Sequence, residues 1–427
     1  MRQLLTSVIA LVTISCAQAP PASSYLFVWA GDKDKTASDF LGVIDANPAS
    51  PRYGAIVASI PVGENGTYPH HTENEMSASG HLLANGFGAG KTWLFDLTEP
   101  DRPKILTSFG DKAGLSHPHS YVRLPNGEVL ATFQYAEGAQ VPDGHAHGGS
   151  AAAATPPAKT GTAPQRIAQT TGGLVLMTER GDVIRSASAR DPNSSYSSIY
   201  PYYALPIPAI DRVLSSTTDM DDKNTSATSE WLQLWRLSDL KLLKTFALPP
   251  GPRGDEHKFT GEVRLLADGK SAYVHTFNCG LYLVRNLDTP EPHAMFVKSF
   301  TKTDCGVPAI SGHFWLQPVP YDHALISLDI SDPEHPREVS RVTFGEEEGL
   351  HWLALDPTGR RAVLGSAGPK PNRIFIINVD ATTGALAIDD RFRDPGAPTP
   401  GVSLAGQRWP HGFNGEARPH GTVFSRR

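Results

Sequence analysis

The chain has 427 residues, a formal net charge of −6, 40% apolar residues and only 8% aromatic ones. This is enough apolar material for a large core, and the mildly acidic balance argues against a nucleic-acid partner. Glycine (39) and proline (36) are plentiful, and no long stretch has the 3.6-residue apolar period of a helix. The composition therefore predicts an all-β protein with many turns.

Residues 1–19 have the pattern of a bacterial export signal peptide. Arg2 supplies the positive charge, Leu4–Ile14 is a short apolar run, and Ala17 and Ala19 are small residues suited to cleavage. The run is too short to span a bilayer in the mature chain, and no later segment is a candidate to do so. We therefore expect a periplasmic or secreted protein. A lipoprotein acylated at Cys16 is the alternative.

From residue 24 to residue 427 the sequence reads as one domain of short strands and Gly-bearing turns. Units of about 40–50 residues with four strands each are typical of propeller blades. Seven such units begin at or near Ser24, Tyr68, His117, Tyr200, Asp255, Cys305 and His351. A stretch rich in Gly, Ala, Pro and Thr at about 137–170 interrupts the third unit and is expected to be a flexible insert. The sequence predicts a seven-bladed β-propeller, give or take one blade, and its tail is a candidate for the strand that closes the ring.

Side chains suited to metal binding recur at one place in these units. His71, His119, Glu262, Cys305 and His351 each precede the glycine of a hairpin turn by seven to nine residues. The first strand of each propeller blade runs beside the central channel, so residues just before those strands are expected to gather at one mouth of it. Several neutral imidazoles with an open coordination position suit copper, zinc or iron. A metal-free polar pocket and purely structural hydrogen bonding are the alternatives.

The full set of candidate ligands consists of histidines at or near blade starts and in the tail. It comprises His70, His71, His117, His119, His257, His351, His411 and His420. Glu262, which stands at the recurring position of the fifth unit, is the candidate proton acceptor provided that it lies within hydrogen-bond reach. If Cys16 leaves with the signal peptide, Cys279 and Cys305 remain. They could form a disulfide, stay as two buried thiols, or supply one thiolate to a metal.

Several stretches resemble the selenium-binding protein/methanethiol oxidase family. The run DFLGVIDANPASPRYG, followed by the His70–His71 pair, resembles that family's opening segment. HPHSYVRLPNGEVLATF and TGEVRLLADGKSAYVHTF are similar to two of its blade hairpins. The chain departs from the family pattern after the His–His pair, where Thr72, Glu73 and Asn74 stand in place of paired cysteines.

The resemblance implies a periplasmic, copper-dependent oxidase of methanethiol or a related small thiol, with oxygen as the co-substrate. The products would be an aldehyde, sulfide and hydrogen peroxide. The positions that carry over as metal ligands are His71, His119, His351 and His420. Two other hypotheses remain open: a non-catalytic propeller that binds a ligand or partner at its mouth, and a lactonase-type hydrolase that uses a divalent ion.

Overall fold

The computed structural model describes residues 24–138, 171–193, 199–220, 230–366 and 373–426. Within these ranges the regular structure consists of 31 β-strands and two 3₁₀ turns, Pro208–Ile210 and Pro320–Asp322. The predicted signal peptide, and all of the predicted insert except Glu137 and Gly138, lie outside the described residues. No helix in the described ranges is long and apolar enough to cross a membrane.

The strands of the first four blades form antiparallel sheets in which sequence neighbours pair. Blade 1 contains β1 Tyr25–Asp32, β2 Phe40–Asp45 and β3 Ile56–Pro61. Blade 2 contains β4 Pro69–Thr72, β5 His81–Gly86, β6 Lys91–Asp96 and β7 Lys104–Phe109. Blade 3 contains β8 Leu115–Arg123, β9 Val129–Ala136, β10 Gly173–Met177 and β11 Val183–Ser188. Blade 4 contains β12 Pro201–Ile207, β13 Arg212–Thr217, β14 Trp231–Arg236 and β15 Lys241–Ala247.

The remaining three blades follow the same plan. Blade 5 contains β16 Thr260–Leu265, β17 Ala272–Thr276, β18 Gly280–Arg285 and β19 His293–Ser299. Blade 6 contains β20 Ala309–Ser311, β21 Phe314–Val319, β22 Ala324–Asp329 and β23 Arg337–Thr343. Blade 7 contains β24 Leu350–Leu355, β25 Arg361–Ser366, β26 Arg373–Val379, β27 Leu386–Ile388 and β28 Val402–Ser403. A small hairpin, β29 Gln407–Arg408 and β30 Asn414–Gly415, precedes the last strand, β31 Ala417–Phe424.

The last strand closes the ring. β31 pairs antiparallel with β1, so the first blade takes its innermost strand from the end of the chain. β31 also lies against β24 of blade 7 and β4 of blade 2, which places it in the circle of inner strands. The predicted seven-bladed propeller is confirmed, and so is the predicted role of the tail.

The core lies between the blades. Seven buried apolar clusters join neighbouring sheets, and between blades 1 and 2 the rings of Trp29 and Trp93 meet at 5.5 Å. Strands packed on both faces are mostly apolar, and every residue of β2 is buried, including Asp45 at its end. The outermost strand of blade 3, β11, is almost wholly exposed. Because each interface is close-packed, replacing Trp29 by alanine would cost about 3–5 kcal/mol of unfolding free energy.

A disulfide joins Cys279, at the turn before β18, to Cys305, in the segment that leads into β20. Both residues are fully buried. The bond therefore links blade 5 to blade 6, which settles the choice left open by the sequence. It also corrects the grouping of Cys305 with the candidate metal ligands, because its sulfur is already bonded.

Candidate metal centre

The inner strands are irregular at the level of the predicted site. Six of them have a shift in pairing register near mid-strand, as expected of a β-bulge. The shifts fall between Pro69 and Thr72, Pro118 and Tyr121, Pro201 and Ala204, Thr260 and Val263, Leu350 and Trp352, and Pro419 and Thr422. Side chains of a regular strand alternate between faces, whereas a bulge re-aims them.

Histidines occupy most of these bulges and converge. The candidate ligand atoms of His70, His71 and His119 all lie within 4.8 Å of one another, and all three residues are buried. The bulge in β4 allows His70 and His71, which are adjacent in sequence, to stack with ring centroids 4.4 Å apart. The ring of His420, on the closing strand, is 4.1 Å from that of His70. His351 follows at 4.9 Å from His420.

The position of these residues differs from the expected one in depth. The spacing in the sequence predicts that they lie just before the first strands, at the mouth of the channel. The structure places His70, His71, His119, His351 and His420 within the inner strands themselves. The cluster therefore lies inside the channel, where side chains from four blades meet.

Two contacts of Tyr202 orient the cluster. His119 Nδ1 lies 2.7 Å from the backbone oxygen of Tyr202. Since a carbonyl oxygen can only accept, Nδ1 of His119 carries the proton and Nε2 keeps its lone pair for a metal. The hydroxyl group of Tyr202 lies 3.2 Å from His71 Nε2. Tyr202 thus touches histidines from two other blades, a role that the sequence analysis did not assign to it.

Glu262 is the carboxylate of the cluster. It has no exposed surface, and its Oε1 lies 4.0 Å from His71 Nδ1. Its Oε2 accepts a hydrogen bond of 2.7 Å from Nη1 of Arg264. Burial raises the pKa of Glu262, and the charge of Arg264 opposes that rise. A buried carboxyl group with a raised pKa beside a histidine is a candidate for proton transfer.

Aromatic side chains enclose the cluster. The ring of Trp352 stands edge-on to His71 at 5.0 Å, and its Nε1 donates to the backbone oxygen of Thr422. Phe87 lies edge-on to His119 at 5.7 Å. Such a wall excludes water and lowers the local dielectric, which strengthens electrostatic interactions within the site.

The other three predicted ligands, His117, His257 and His411, are not members of the group of three. His117 lies in β8. Its ring is 5.5 Å from the ring of Phe87, and its Nδ1 lies 3.1 Å from Ser116 Oγ. His257 precedes β16, with Nε2 3.8 Å from a carboxylate oxygen of Glu230. His411 Nδ1 lies 2.7 Å from the hydroxyl group of Ser59, on the outermost strand of blade 1. The structure thus places His420, rather than His411, in the channel.

His275 is a further buried residue that sequence reasoning missed. It lies on β17, and its Nδ1 accepts a hydrogen bond of 2.9 Å from the backbone N–H of Glu262. Burial lowers the pKa of His275 to about 3, so the ring is neutral at ordinary pH. The signal for it was a histidine directly after Val274 in the predicted second strand of the fifth unit.

A pocket of about 850 Å³ opens at the end towards which the inner strands run. Its polar lining includes Glu73, Asn74, Arg123, Tyr203, Arg264 and Arg426. Arg264 lines this pocket and also holds Glu262, so the pocket and the histidine cluster share a wall.

Comparison with known proteins supports the resemblance seen in the sequence. No protein-family model matches the chain. The chain is 25% identical to a methanethiol oxidase of Hyphomicrobium sp. over 367 residues, which cover 78% of this chain and 73% of that protein. It is 27% identical to selenium-binding protein 1 of Arabidopsis thaliana over 109 residues, 22% of each chain. The match to the Arabidopsis protein therefore covers only a fragment of both.

Solved structures share the fold. A hypothetical selenium-binding protein from Sulfolobus tokodaii superposes with a TM-score of 0.71 at 15% identity, covering 95% of this chain and 94% of that one. A periplasmic gluconolactonase of Pseudomonas aeruginosa superposes with a TM-score of 0.57 at 12% identity, covering 94% and 98%. At these identities the likeness concerns the propeller architecture alone.

Proposed function

We propose that this chain, a divergent relative of the methanethiol oxidases and selenium-binding proteins, is an exported copper-dependent oxidase of methanethiol or a related small thiol. One observation carries the proposal. Three buried histidines from two blades bring their ligand atoms within 4.8 Å of one another. Buried imidazoles that are grouped in this way are more typical of a metal site than of a structural core.

The donor set fits a metal of borderline softness. His71, His119 and His70 would hold the ion, with His420 and His351 next to them. Imidazole nitrogen suits copper, zinc and iron, and among these copper and iron permit redox chemistry. Bound copper would supply electron transfer to oxygen and would lower the pKa of a coordinated thiol.

The surrounding residues prepare the site for this chemistry. The backbone oxygen of Tyr202 fixes the tautomer of His119 and so presents Nε2. Glu262 is the acceptor for the thiol proton, since it lies beside His71 and has no contact with bulk water. Arg264 stabilises the ionised form of Glu262 and fixes its orientation.

The overall reaction balances for methanethiol. Methanethiol, dioxygen and water give formaldehyde, hydrogen sulfide and hydrogen peroxide. The methyl carbon loses two electrons, dioxygen gains them, and the carbon–sulfur bond breaks as the new carbon–oxygen bond forms. Sulfide and peroxide are both easily measured, so this stoichiometry is directly testable.

Export is part of the proposal. Residues 1–19 have the composition of a signal peptide, and the buried Cys279–Cys305 disulfide is of a kind that forms and persists in oxidising compartments. Both features favour the periplasm. Fractionation of cells that express the untagged chain would test this part on its own.

The decisive experiment is metal analysis of untagged protein purified from the periplasm. We expect about one copper per chain in the wild type and a loss of copper, peroxide and sulfide production in His119→Ala. His335→Ala is the control, because His335 is an exposed surface histidine paired with Asp332. A redox-inactive metal together with lactone hydrolysis would favour a hydrolase. No metal after reconstitution with copper, and no thiol oxidation, would favour the non-catalytic binding propeller.

A further inference from the structure

Asn85 connects the two strands that carry the metal-site histidines. It lies on β5, the second strand of blade 2, and its side chain is fully buried. Its Oδ1 accepts a hydrogen bond of 2.6 Å from the backbone N–H of His71. Its Nδ2 donates to the backbone oxygens of Pro118, at 2.7 Å, and of His119, at 3.0 Å. One amide group thus holds the backbone of His71 in blade 2 and of His119 in blade 3.

The bulges explain why such a group is needed. A β-bulge leaves a backbone N–H without its ladder partner. In three other blades, a side chain of the second strand accepts that hydrogen bond. Thr132 Oγ1 accepts from Ser120, Ser216 Oγ accepts from Tyr203, and His275 Nδ1 accepts from Glu262. Among these four side chains, Asn85 is the one that bonds to the backbone of two metal-site histidines, His71 and His119.

A third blade fixes Asn85 itself. The indole N–H of Trp29, on β1, donates to the backbone oxygen of Asn85 at 2.6 Å. The oxygen and the NH₂ group of the Asn85 amide cannot be exchanged. A flipped amide would place its NH₂ group against the N–H of His71, and its oxygen against the carbonyl oxygens of Pro118 and His119. The geometry therefore permits one orientation, and it is stabilised from blades 1, 2 and 3.

We infer that Asn85 is a positioning residue that sets the separation between His71 and His119. The inference rests on the proposed metal site, although the hydrogen bonds that support it do not. Groups that orient metal ligands contribute strongly to metal affinity although they never touch the ion. Asn85 acts on the backbone beneath the ligands, so its loss would change the spacing of the two imidazoles rather than their chemistry.

Two substitutions of similar volume distinguish the role of the Asn85 acceptor oxygen from that of its donor NH₂ group. Asn85→Asp keeps the acceptor for the N–H of His71 but places a carboxylate oxygen against the carbonyl oxygens of Pro118 and His119. Asn85→Leu removes both the acceptor and the donor. Gln317→Leu is the matched control, because Gln317 is a fully buried second-strand amide in blade 6, where it donates to the backbone oxygen of Gly306 at 2.7 Å.

The test measures copper affinity by competition with a chelator, together with the electron paramagnetic resonance spectrum of the copper-loaded protein. We expect Asn85→Asp and Asn85→Leu to bind copper about 10- to 100-fold more weakly than wild type, with altered copper hyperfine splitting. Gln317→Leu should match the wild type in both measurements. Affinities within twofold of wild type and unchanged spectra in both Asn85 variants would overturn the inference.

A readout without metal distinguishes failure of this inference from failure of the proposed function. Amide hydrogen exchange at His71 in the apo protein should speed up in Asn85→Leu but stay protected in Asn85→Asp and Gln317→Leu. If the wild type binds no copper, the proposed function fails, and equal exchange at His71 in all variants would then overturn the positioning role as well. Should either substitution prevent folding, Asn85→Ser replaces it, since serine keeps an acceptor and leaves room for a bridging water.

Discussion

Glu348 gives a quantitative test of the electrostatics near the channel. It lies in the connection between β23 and β24, just before His351, and its Oε2 is buried with no hydrogen-bond partner among the described residues. Burial raises the pKa of Glu348 to about 7 from its usual value of 4.5. Arg373 opposes this rise, and the neighbouring Glu347 adds to it. Above its pKa the folded protein therefore holds a poorly solvated charge.

The magnitude follows from linkage. A rise from 4.5 to about 7 corresponds to about 3 kcal/mol, which solvent at this partly exposed side chain reduces to about 2 kcal/mol. Because the folded state binds the proton more tightly than the unfolded state, the free energy of unfolding falls as pH rises from about 4.5 to about 7. Glu348→Gln should therefore stabilise the protein by about 2 kcal/mol at pH ~8 and have little effect at pH ~4.

Urea denaturation of both proteins at the two pH values measures this difference. Glu346→Gln is the control, because it removes the same charge from an exposed position in the same loop. Equal stabilities of wild type and Glu348→Gln at both pH values would refute the reasoning. The same gain in Glu346→Gln would show that overall charge, and not burial of one carboxylate, is the cause.

Three further predictions concern the Cys279–Cys305 disulfide, the carboxylate of Glu262, and Gly261 in the bulge of blade 5. Replacing both cysteines of the disulfide by serine should lower the free energy of unfolding by about 3.5 kcal/mol in urea titrations, since the bond spans 26 residues; a loss under 1 kcal/mol would contradict this. Glu262→Gln should keep its metal but oxidise methanethiol about 100-fold more slowly, and an unchanged peroxide rate would exclude Glu262 as the proton acceptor. Gly261→Ala should cost about 1–3 kcal/mol in thermal unfolding, because a Cβ there would lie 2.3 Å from the ring of His275. Gly345→Ala, whose Cβ would meet nothing nearer than 3.9 Å, should leave the midpoint unchanged.

The propeller could be predicted because its signals are local. A hairpin such as 260–276 can be recognised in the sequence from two apolar runs and a glycine between them. In the structure that glycine, Gly269, forms the turn with a positive φ of 70°. Each of the seven units carries its own version of this pattern. The closing strand could be predicted for a different reason, since only the tail remained to complete the first blade.

The candidate site could be predicted only in part. Similar spacing from the turn glycine indicated that His71, His119 and His351 come together, but it placed them at the channel mouth and not inside the channel. It could not reveal the bulges, because the pairing register depends on the partner strand and on side chains such as Asn85 that fill the gaps. Spacing also treated Cys305 as a ligand, although the structure pairs it with Cys279.

The choice between His411 and His420 shows the same limit. Both stand in the tail, nine residues apart, and only the family resemblance favoured His420 over His411. The small hairpin β29–β30 holds the chain near His411 against blade 1, where Phe40 and Ser59 contact that histidine. The following residues then enter the ring as β31, which carries His420 to the centre.

The strand that completes the ring thus also completes the histidine cluster. His420 reaches His70 only when β31 has paired with β1 and packed against β4 and β24. His70, His71 and His119 come from blades 2 and 3, so a metal that they hold would gain the neighbouring His420 only in the closed ring. To the extent that His420 strengthens binding, the metal would add to the stability of closure. At a free metal concentration about 1,000 times the dissociation constant the whole binding term is about 4 kcal/mol, comparable to the disulfide that joins blades 5 and 6. Closure of the propeller and completion of the histidine cluster are therefore linked, and mutations at the β1–β31 seam should weaken metal binding as well as stability.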